Sequence, residues 1–298
     1  MRIVSLLPST TEILFDLGAG DDVVGVTFEC DFPAEARERR IVSTSALPEG
    51  LDAAGIDAHV SAALRAGEDL YHLDEGALAG LQADLVVTQD LCAVCAVDVS
   101  VVDDALAHLG CTADVLTTDP HTLEEVLASI STLGAATGHR SEAERLLASL
   151  RERLDVVRTQ VAARPAGDGP RVLLLEWTDP PFAPGHWVPE MVTIAGGRPT
   201  VGSAGQKSER VTWEQALATA PDVVVCAPCG FDLGGSVAQA NAVLDSGVLP
   251  ETTPVWAVDA NASFARPGPR LVDGIETLAR IFDPDGPPPA PGGARRVR

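Results

Sequence analysis

The sequence predicts an α/β protein with two lobes, each built on a mainly parallel sheet, joined by one long helix. Short β-rich runs alternate with helical patterns in the first half of the chain and again in the second half, which is typical of βαβ units. One amphipathic helical pattern runs between the halves, over Ser141–Ala163. The chain has 298 residues, enough for about two domains of ordinary size.

The first half begins with a strand, Ile3–Leu7, and a helix that opens at the capping-box pattern Ser9-Thr10-Thr11-Glu12 and ends at Gly18. β-Rich runs bounded by turn residues predict the next strands. These strands are Val23–Thr27, Leu85–Thr88 and Asp114–Thr117, and helical patterns cover Asp57–Ala66, Leu78–Leu81 and Val101–Leu109.

Two further capping boxes lie in the middle of the chain, Thr122-x-x-Glu125 and Ser141-x-x-Glu144. Behind the second, apolar residues recur every three or four positions from Ala143 to Val161. At 1.5 Å per residue the resulting helix, Ser141–Ala163, would be roughly 34 Å long. A helix of this length can serve as a spine between two lobes.

The second half restarts the alternation of strands and helices. Its predicted strands are Arg171–Trp177, Val223–Ala227 and Val255–Asp259, and its predicted helices are Val188–Ala195, Trp213–Thr219 and Arg270–Phe282. The Pro- and Gly-rich end of the chain predicts disorder. The predicted domains are an N-terminal lobe 1–120, connecting helices 121–165, a C-terminal lobe 166–282 and a disordered tail 283–298.

The charge balance narrows the class of partner. The chain has 43 Asp and Glu against 21 Lys and Arg, a net charge of −22, which argues against nucleic-acid binding and against docking on an anionic membrane. No apolar run is long enough to span a membrane. Met1–Pro8 reads as a strand and not as an export signal, so we expect a cytoplasmic protein, or an extracytoplasmic one if a leader was removed.

Several enzyme signatures are absent from the sequence, including a nucleophile elbow, a phosphate loop and a dinucleotide-binding glycine motif. This argues against an enzyme of those classes, although a cleft can assemble catalytic residues that are distant in sequence.

Short stretches spread along the chain in a fixed order resemble a known family. They are Ile3–Glu12, Val24–Val26, Cys30–Pro33, Leu81–Val87, Asp179–Phe182, Gly196–Gly197, Val211–Gln215 and Pro267–Arg270. Together they resemble the vitamin-B12-binding, metal-chelate-type solute-binding proteins of ABC importers. The resemblance implies a class III fold: two three-layer α/β lobes on a backbone helix, with the ligand in the cleft between them and an ABC permease as partner.

The six cysteines are a second set of candidates. Cys30, Cys92, Cys95 and Cys229 follow predicted strands, and Cys92-x-x-Cys95 and Cys226-x-x-Cys229 have the spacing at which two thiolates bind one metal. The two pairs could together supply four thiolate ligands for zinc or an iron–sulfur cluster. A more selective arrangement is Cys30, Cys92 and Cys95 from one lobe with an open position, and Cys229 is a further candidate ligand. Disulfides and inert buried thiols are the alternatives. For Cys111 and Cys226 burial is the prediction.

Aromatic and basic residues of the second lobe are the ligand-binding candidates, with one ring from the first lobe. They are Tyr71, Trp177, Phe182, His186, Trp187 and Arg266. Rings can stack on a flat macrocycle, a histidine can reach its metal and an arginine can contact an anionic group. Packing of the tryptophans, a surface histidine and a structural ion pair are the alternatives.

Two hypotheses follow. The first is a binding protein for a corrinoid such as cobalamin, or for another metal chelate. The second is a cytosolic metalloprotein or enzyme on the same scaffold, with a cysteine-ligated metal or iron–sulfur cluster that acts on a small substrate.

Overall fold

The structure is a computed structural model that describes most of the chain. The residues outside the description are Gly67, Asp69, Ala79, 90–111, Ala166 and Asp168. The predicted helix Val101–Leu109 and the candidates Cys92, Cys95 and Cys111 therefore lie outside the described residues.

The described residues form two compact units. The N-terminal unit comprises Met1–Pro120 and Leu127–Leu147, and the C-terminal unit comprises His121–Val126 and Ala148–Arg298. Residues of the predicted connecting segment 121–165 are thus shared between the units. The predicted α/β fold with mainly parallel sheets is confirmed.

The N-terminal half of the chain supplies seven described strands and, up to the end of the long helix, five described helices. The strands are β1 Ile3–Ser5, β2 Val23–Val26, β3 Arg40–Ile41, β4 Ser43–Ser45, β5 Tyr71–Leu73, β6 Leu85–Thr88 and β7 Asp114–Thr117. The helices are α1 Pro8–Asp16, α2 Ala53–Ala66, α3 Glu75–Leu78, α4 Leu123–Ala136 and α5 Arg140–Ala162.

The main sheet of the N-terminal unit has the order β3-β2-β1-β6-β7, and every pair in it is parallel. β4 and β5 form a separate antiparallel pair. The central strands are apolar and fully buried, as expected for strands covered on both faces. Val4 and Val86 pair across β1 and β6 and belong to one core cluster with Leu6 and Leu81.

Helix α1 starts differently from the prediction. Its N-cap is Leu7, with Pro8 in the first turn and no side-chain cap, so the capping box at Ser9 is wrong. Proline at the first helical position has its backbone angle preset and lacks an N–H that would need a partner. The hydroxyls of Thr10 and Thr11 instead donate to the carbonyl of Leu7. The helix is followed by Gly18, with φ +79, as predicted.

The box at α4 is confirmed. Thr122 Oγ1 accepts from the N–H of Glu125, and Glu125 Oε2 accepts from the N–H groups of Thr122 and His121. The bond from His121 is the main reason that the pKa of Glu125 lies below its ordinary value. The long helix α5, 23 residues, begins at Arg140, one residue before the predicted cap, and has residues in both units.

The C-terminal half contains eight described strands and five described helices. The strands are β8 Arg171–Leu175, β9 Trp177–Thr178, β10 Pro181–Ala183, β11 Arg198–Pro199, β12 Glu209–Arg210, β13 Val223–Cys226, β14 Val255–Val258 and β15 Ala294–Arg296. The helices are α6 Val188–Ile194, α7 Trp213–Ala218, α8 Leu233–Asp245, α9 Ala260–Ser263 and α10 Leu271–Ile281.

The main sheet of the C-terminal unit has the order β11-β8-β13-β14-β15. Its first four strands are parallel, and β15 is antiparallel to β14. The prediction of a disordered tail is therefore wrong for Ala294–Arg296. The last residue is also tied down, because the guanidinium of Arg298 donates to the carbonyls of Thr253 and Pro250. A small antiparallel sheet, β12-β10-β9, completes the unit.

Candidate ligand-binding site

The two main sheets reverse their strand order at one point each. In the N-terminal unit the reversal lies between β1 and β6, and in the C-terminal unit between β8 and β13. Ligands of open α/β sheets bind outside the carboxyl ends of the strands at such points. The residues that follow β1, β2, β8 and β13 are therefore the first place to look for a site.

The segment after β1 is occupied by a buried hydroxyl network. Ser5 and Thr10 share a hydrogen bond of 2.7 Å, and the Thr11 hydroxyl lies 2.9 Å from Ser5 Oγ and 3.1 Å from Cys30 Sγ. Cys30 is 2% exposed. Its thiol is held by an internal hydroxyl in a packed interior.

Aromatic rings lie on the surface beyond β2. Phe28 is 36% exposed and its ring stacks on Tyr71, with centroids 5.5 Å apart and an interplanar angle of 26°. Tyr71 is held in place because its hydroxyl donates to Glu29 Oε2 at 2.9 Å. Phe32, four residues after Phe28, is 43% exposed. Tyr71 is thus part of an exposed aromatic surface at the carboxyl edge of its unit.

A second aromatic group lies at the carboxyl edge of the C-terminal sheet. Trp177 follows β8, Phe231 follows β13, and their ring centroids are 5.6 Å apart. The indole N–H of Trp177 donates to the carbonyl of Asp179. Phe182 pairs with Trp177 across the β9–β10 hairpin, and the guanidinium of Arg210 lies 5.5 Å from the Phe182 centroid.

A partly buried carboxylate lies next to this group. Glu176 Oε2 accepts a 2.6 Å hydrogen bond from the hydroxyl of Ser208 and one of 3.1 Å from the N–H of Gly185. Burial raises the pKa of Glu176, and the two hydrogen bonds oppose that shift. Glu176 therefore ties the loop 202–208 to the end of β8.

Trp187 and Arg266 are placed inside the protein. Trp187 is 5% exposed and its indole N–H donates to the carbonyl of Phe264 at 2.8 Å, and Arg266 is 8% exposed. Trp187 is therefore placed as expected for a packing residue. That Trp187 binds the ligand stays a prediction, and no exposed ring face supports it. Trp177 and Phe182, by contrast, are only partly buried.

His186 has an unusual environment. Its backbone has φ +49, a left-handed conformation that few residues with a side chain adopt. Its ring lies 5.7 Å from that of His121 and 5.5 Å from that of Trp187. Its Nε2 is buried and has no hydrogen-bond partner in the described part of the chain. Burial, His121 and Lys207 lower the pKa of His186, so the imidazole is neutral at pH 7.

The described cysteines are divided between the two units. Cys30 belongs to the N-terminal unit, and Cys229 is exposed in the C-terminal unit. Cys226 is buried in the core, as predicted, and burial raises the pKa of its thiol to about 12. Within the described residues no group of three or more His, Cys, Asp or Glu could hold a metal. Cys92 and Cys95 lie outside these residues, and the zinc or iron–sulfur site stays a prediction.

Three ring residues at these edges, Phe28, Phe32 and Phe231, were not among the predicted site residues. Phe28 lies two residues after the end of β2, and Phe231 lies five residues after the end of β13. The sequence signal for these rings is their position just after a strand, which Cys30 and Cys229 share.

None of the described helices is long and apolar enough to cross a membrane.

Known proteins share both the sequence pattern and the fold. The chain is 24% identical to a vitamin B12-binding protein of Vibrio cholerae over 287 residues, which cover 93% of this chain and 87% of that protein. It is 26% identical over 300 residues to YvrC of Bacillus subtilis, an ABC transporter substrate-binding lipoprotein, with 95% and 80% covered.

Solved structures share the fold over nearly the whole chain. A periplasmic heme-binding protein of Pseudomonas aeruginosa has a TM-score of 0.71 at 20% identity, with 99% of this chain and 97% of that chain covered. The vitamin B12-binding protein BtuF of Vibrio cholerae has a TM-score of 0.60 at 23% identity, with 94% and 96% covered. The periplasmic binding protein family matches residues 3–256. This chain belongs to the periplasmic binding protein family.

Proposed function

We propose that the protein is the solute-binding component of an ABC importer and that its ligand is a metal chelate, first of all a corrinoid of the cobalamin type. Relatives named for vitamin B12 binding and structural neighbours named for heme binding support this class of ligand. An ABC permease is the partner that such a component needs.

One observation carries the proposal: the aromatic residues are concentrated at the carboxyl edges of the sheets. The chain has seven Phe, four Trp and one Tyr. Half of these twelve lie at the two edges described above: Phe28, Phe32, Tyr71, Trp177, Phe182 and Phe231. A flat macrocycle gains dispersion and apolar burial when it lies on such rings.

The test is a titration of the purified protein with cobalamin and, separately, with haem, followed by calorimetry and by quenching of tryptophan fluorescence. Trp177→Ala should weaken the bound chelate by about fivefold or more, because a well-placed aromatic contact contributes roughly 1 kcal/mol. Trp213→Phe is the control, since Trp213 packs against the core cluster of the C-terminal unit. If neither chelate binds to the wild-type protein, the proposal is wrong.

A further inference from the structure

The C-terminal unit has an open groove of about 720 Å³. Its wall consists of His121 and the loop that leads into β12: Gly202, Ser203, Gly205, Gln206, Lys207, Ser208 and Glu209. Six of these eight residues have polar or charged side chains, unlike the aromatic group at Trp177. A groove of this size and polarity suits the charged side group of a ligand better than the face of a ring.

Basic side chains converge on this groove in a chain that has few of them. Lys207 is the single lysine of the chain, which carries a net charge of −22. His121 lies on the same wall, and His186 lies against His121 with ring centroids 5.7 Å apart. Both His121 and Lys207 act electrostatically on His186. An anion in the groove would be attracted to the Lys207 ammonium and would accept a hydrogen bond from the imidazole of His121.

The loop that carries Lys207 is fixed to the rest of the unit. The N–H of His186 donates to the carbonyl of Gln206 at 2.6 Å, and the N–H of Gly205 donates to the carbonyl of His186 at 2.9 Å. The Ser208 hydroxyl is anchored on Glu176. The basic groups are therefore held on a preformed support, which reduces the entropy lost when a ligand binds.

Four carboxylates lie near these basic groups. Three accept hydrogen bonds from the protein: Glu125 from the N–H of His121, Glu176 from Ser208, and Glu190 from the N–H of Leu123. The fourth, Glu209, lies on the groove wall. Carboxylates that already accept hydrogen bonds from the protein compete less with a bound anion for His121 and Lys207. The negative charge of Glu209 repels an anion and so weakens its binding in the groove.

We propose that His121, Lys207 and the partly buried His186 beside them form a subsite for an anionic group of the bound chelate, a carboxylate or a phosphate. The inference rests on the proposed function for the identity of the chelate. The anion contacts the Lys207 ammonium and the His121 imidazole. Its negative charge also favours protonation of His186, so that binding is accompanied by proton uptake and strengthens below pH 7.

Because Lys207 is the single lysine, an amine-reactive ester labels only Lys207 and the amino terminus. The acylation rates of Lys207 and of the amino terminus are measured by peptide mass spectrometry. Inorganic phosphate or citrate should slow the acylation of Lys207 several-fold relative to chloride at equal ionic strength. The amino terminus is the internal control and should be labelled at the same rate throughout. Equal labelling of Lys207 with and without these anions would contradict the subsite.

Chelate pairs then distinguish the source of the anion. Haem is compared with its dimethyl ester, which lacks the free carboxylates, and cobalamin with cobinamide, which lacks the phosphodiester. Lys207→Met should weaken the binding of either haem or cobalamin by about tenfold or more, as expected for the loss of a hydrogen bond to a charged group. The binding of the matching compound that lacks the anionic group should be unchanged. Arg65→Met, an exposed charge in the N-terminal unit, is the control.

The two proposals fail separately. If the chelates bind and Lys207→Met changes neither member of a pair, the subsite is wrong and the proposed function stands. If phosphate protects Lys207 but no chelate binds, the anion site stands and the proposed function is wrong. The subsite is also wrong if Lys207→Met binds the anionic chelate with full affinity and the anions do not slow the labelling of Lys207 in the wild-type protein. This holds for either chelate.

Discussion

Two titratable side chains flank the loop 202–208, and burial acts on both. Glu176 touches the loop through Ser208, and His186 touches it through Gln206 and Gly205. Burial raises the pKa of the Glu176 carboxyl and lowers the pKa of the His186 imidazole. In both cases the protein disfavours the charged form, since a charge removed from water costs free energy that a neutral group does not.

Glu176→Gln should increase the free energy of unfolding at neutral pH. In the folded protein the Glu176 pKa lies above its ordinary value of 4.5. Between the unfolded and the folded pKa, the native state therefore keeps a proton that the unfolded chain has lost. Stability therefore falls as the pH rises from about 4.5 through the folded pKa, by about 1.4 kcal/mol for each pH unit that separates the folded from the unfolded pKa. Glutamine has an oxygen that can accept from Ser208 and Gly185 but has no charge to bury.

Urea unfolding from pH 4 to pH 8 measures the effect. The advantage of Glu176→Gln over wild type should be small near pH 4 and grow as the pH rises. Glu152→Gln, an exposed carboxyl on α5, should show no such growth. A variant that is less stable than wild type at pH 8 would mean that the carboxylate is stabilised by its two donors more than it is penalised by burial.

The sequence predicts the kinds of residue at the site better than their roles. From the sequence, Trp177 and Trp187 are equivalent stacking candidates in one stretch of the second lobe. What separates them is tertiary: Trp187 donates to a carbonyl 77 residues away and is 5% exposed. His121 and Lys207 join His186 only through the folded loop, so no spacing in the sequence indicates the basic groove.

At the level of elements, the loop 202–208 depends on glycines that permit close backbone contacts. A Cβ on Gly185 would lie 2.4 Å from the Gln206 carbonyl oxygen and 2.4 Å from the Ser208 nitrogen. Gly202 has φ +81, and a Cβ there would lie 2.1 Å from the Pro184 carbonyl oxygen. All of these neighbours are backbone atoms, so the loop as a whole would have to move.

Gly185→Ala should therefore lower the free energy of unfolding by about 1–3 kcal/mol, the usual cost of overpacking. Gly234→Ala in α8 is the matched control, because its new Cβ would have only Asp232 Oδ1 nearby, at 3.4 Å. Less freedom in the unfolded chain should make that variant more stable by up to about 1 kcal/mol. Denaturant unfolding of the two proteins compares them directly. Wild-type stability in Gly185→Ala would show that the loop does not pack on Gly185 in solution.

Local signals predict elements well where both partners are close in sequence. The capping box at Thr122 is present, and strands Leu85–Thr88 and Asp114–Thr117 have their predicted bounds. The box at Ser9 has the same spacing and is absent, because the helix already begins at Pro8. The sequence does not predict helix α8, because Gly234 and Gly235 in its first turn have low helix propensity. The Asp232 side chain caps the start of this helix. Strand β15 was missed because it forms by pairing with β14 and not from a local preference.

At the level of the whole molecule, acidic groups outnumber basic ones by two to one. Arg153 shows how the few basic side chains are used: it bridges Asp273 and Glu276 and so ties α5 to α10 within the C-terminal unit. The chain has 43 acidic and 21 basic residues, so 22 negative charges have no positive charge in the chain to balance them. Their mutual repulsion is largest in the compact state, and it works against folding.

Salt should therefore stabilise this protein. Between about 0.01 M and 0.1 M the screening length falls from about 30 Å to about 10 Å, which removes long-range repulsion between carboxylates while close pairs such as that of Arg153 are screened less. The expected gain is of the order of 1 kcal/mol at pH 7.5, measured by urea unfolding in sodium chloride and in tetramethylammonium chloride. Equal gains in the two salts indicate screening, whereas a gain with sodium alone indicates a bound cation. A loss of stability in both would mean that the arginine–carboxylate pairs outweigh the net charge of −22.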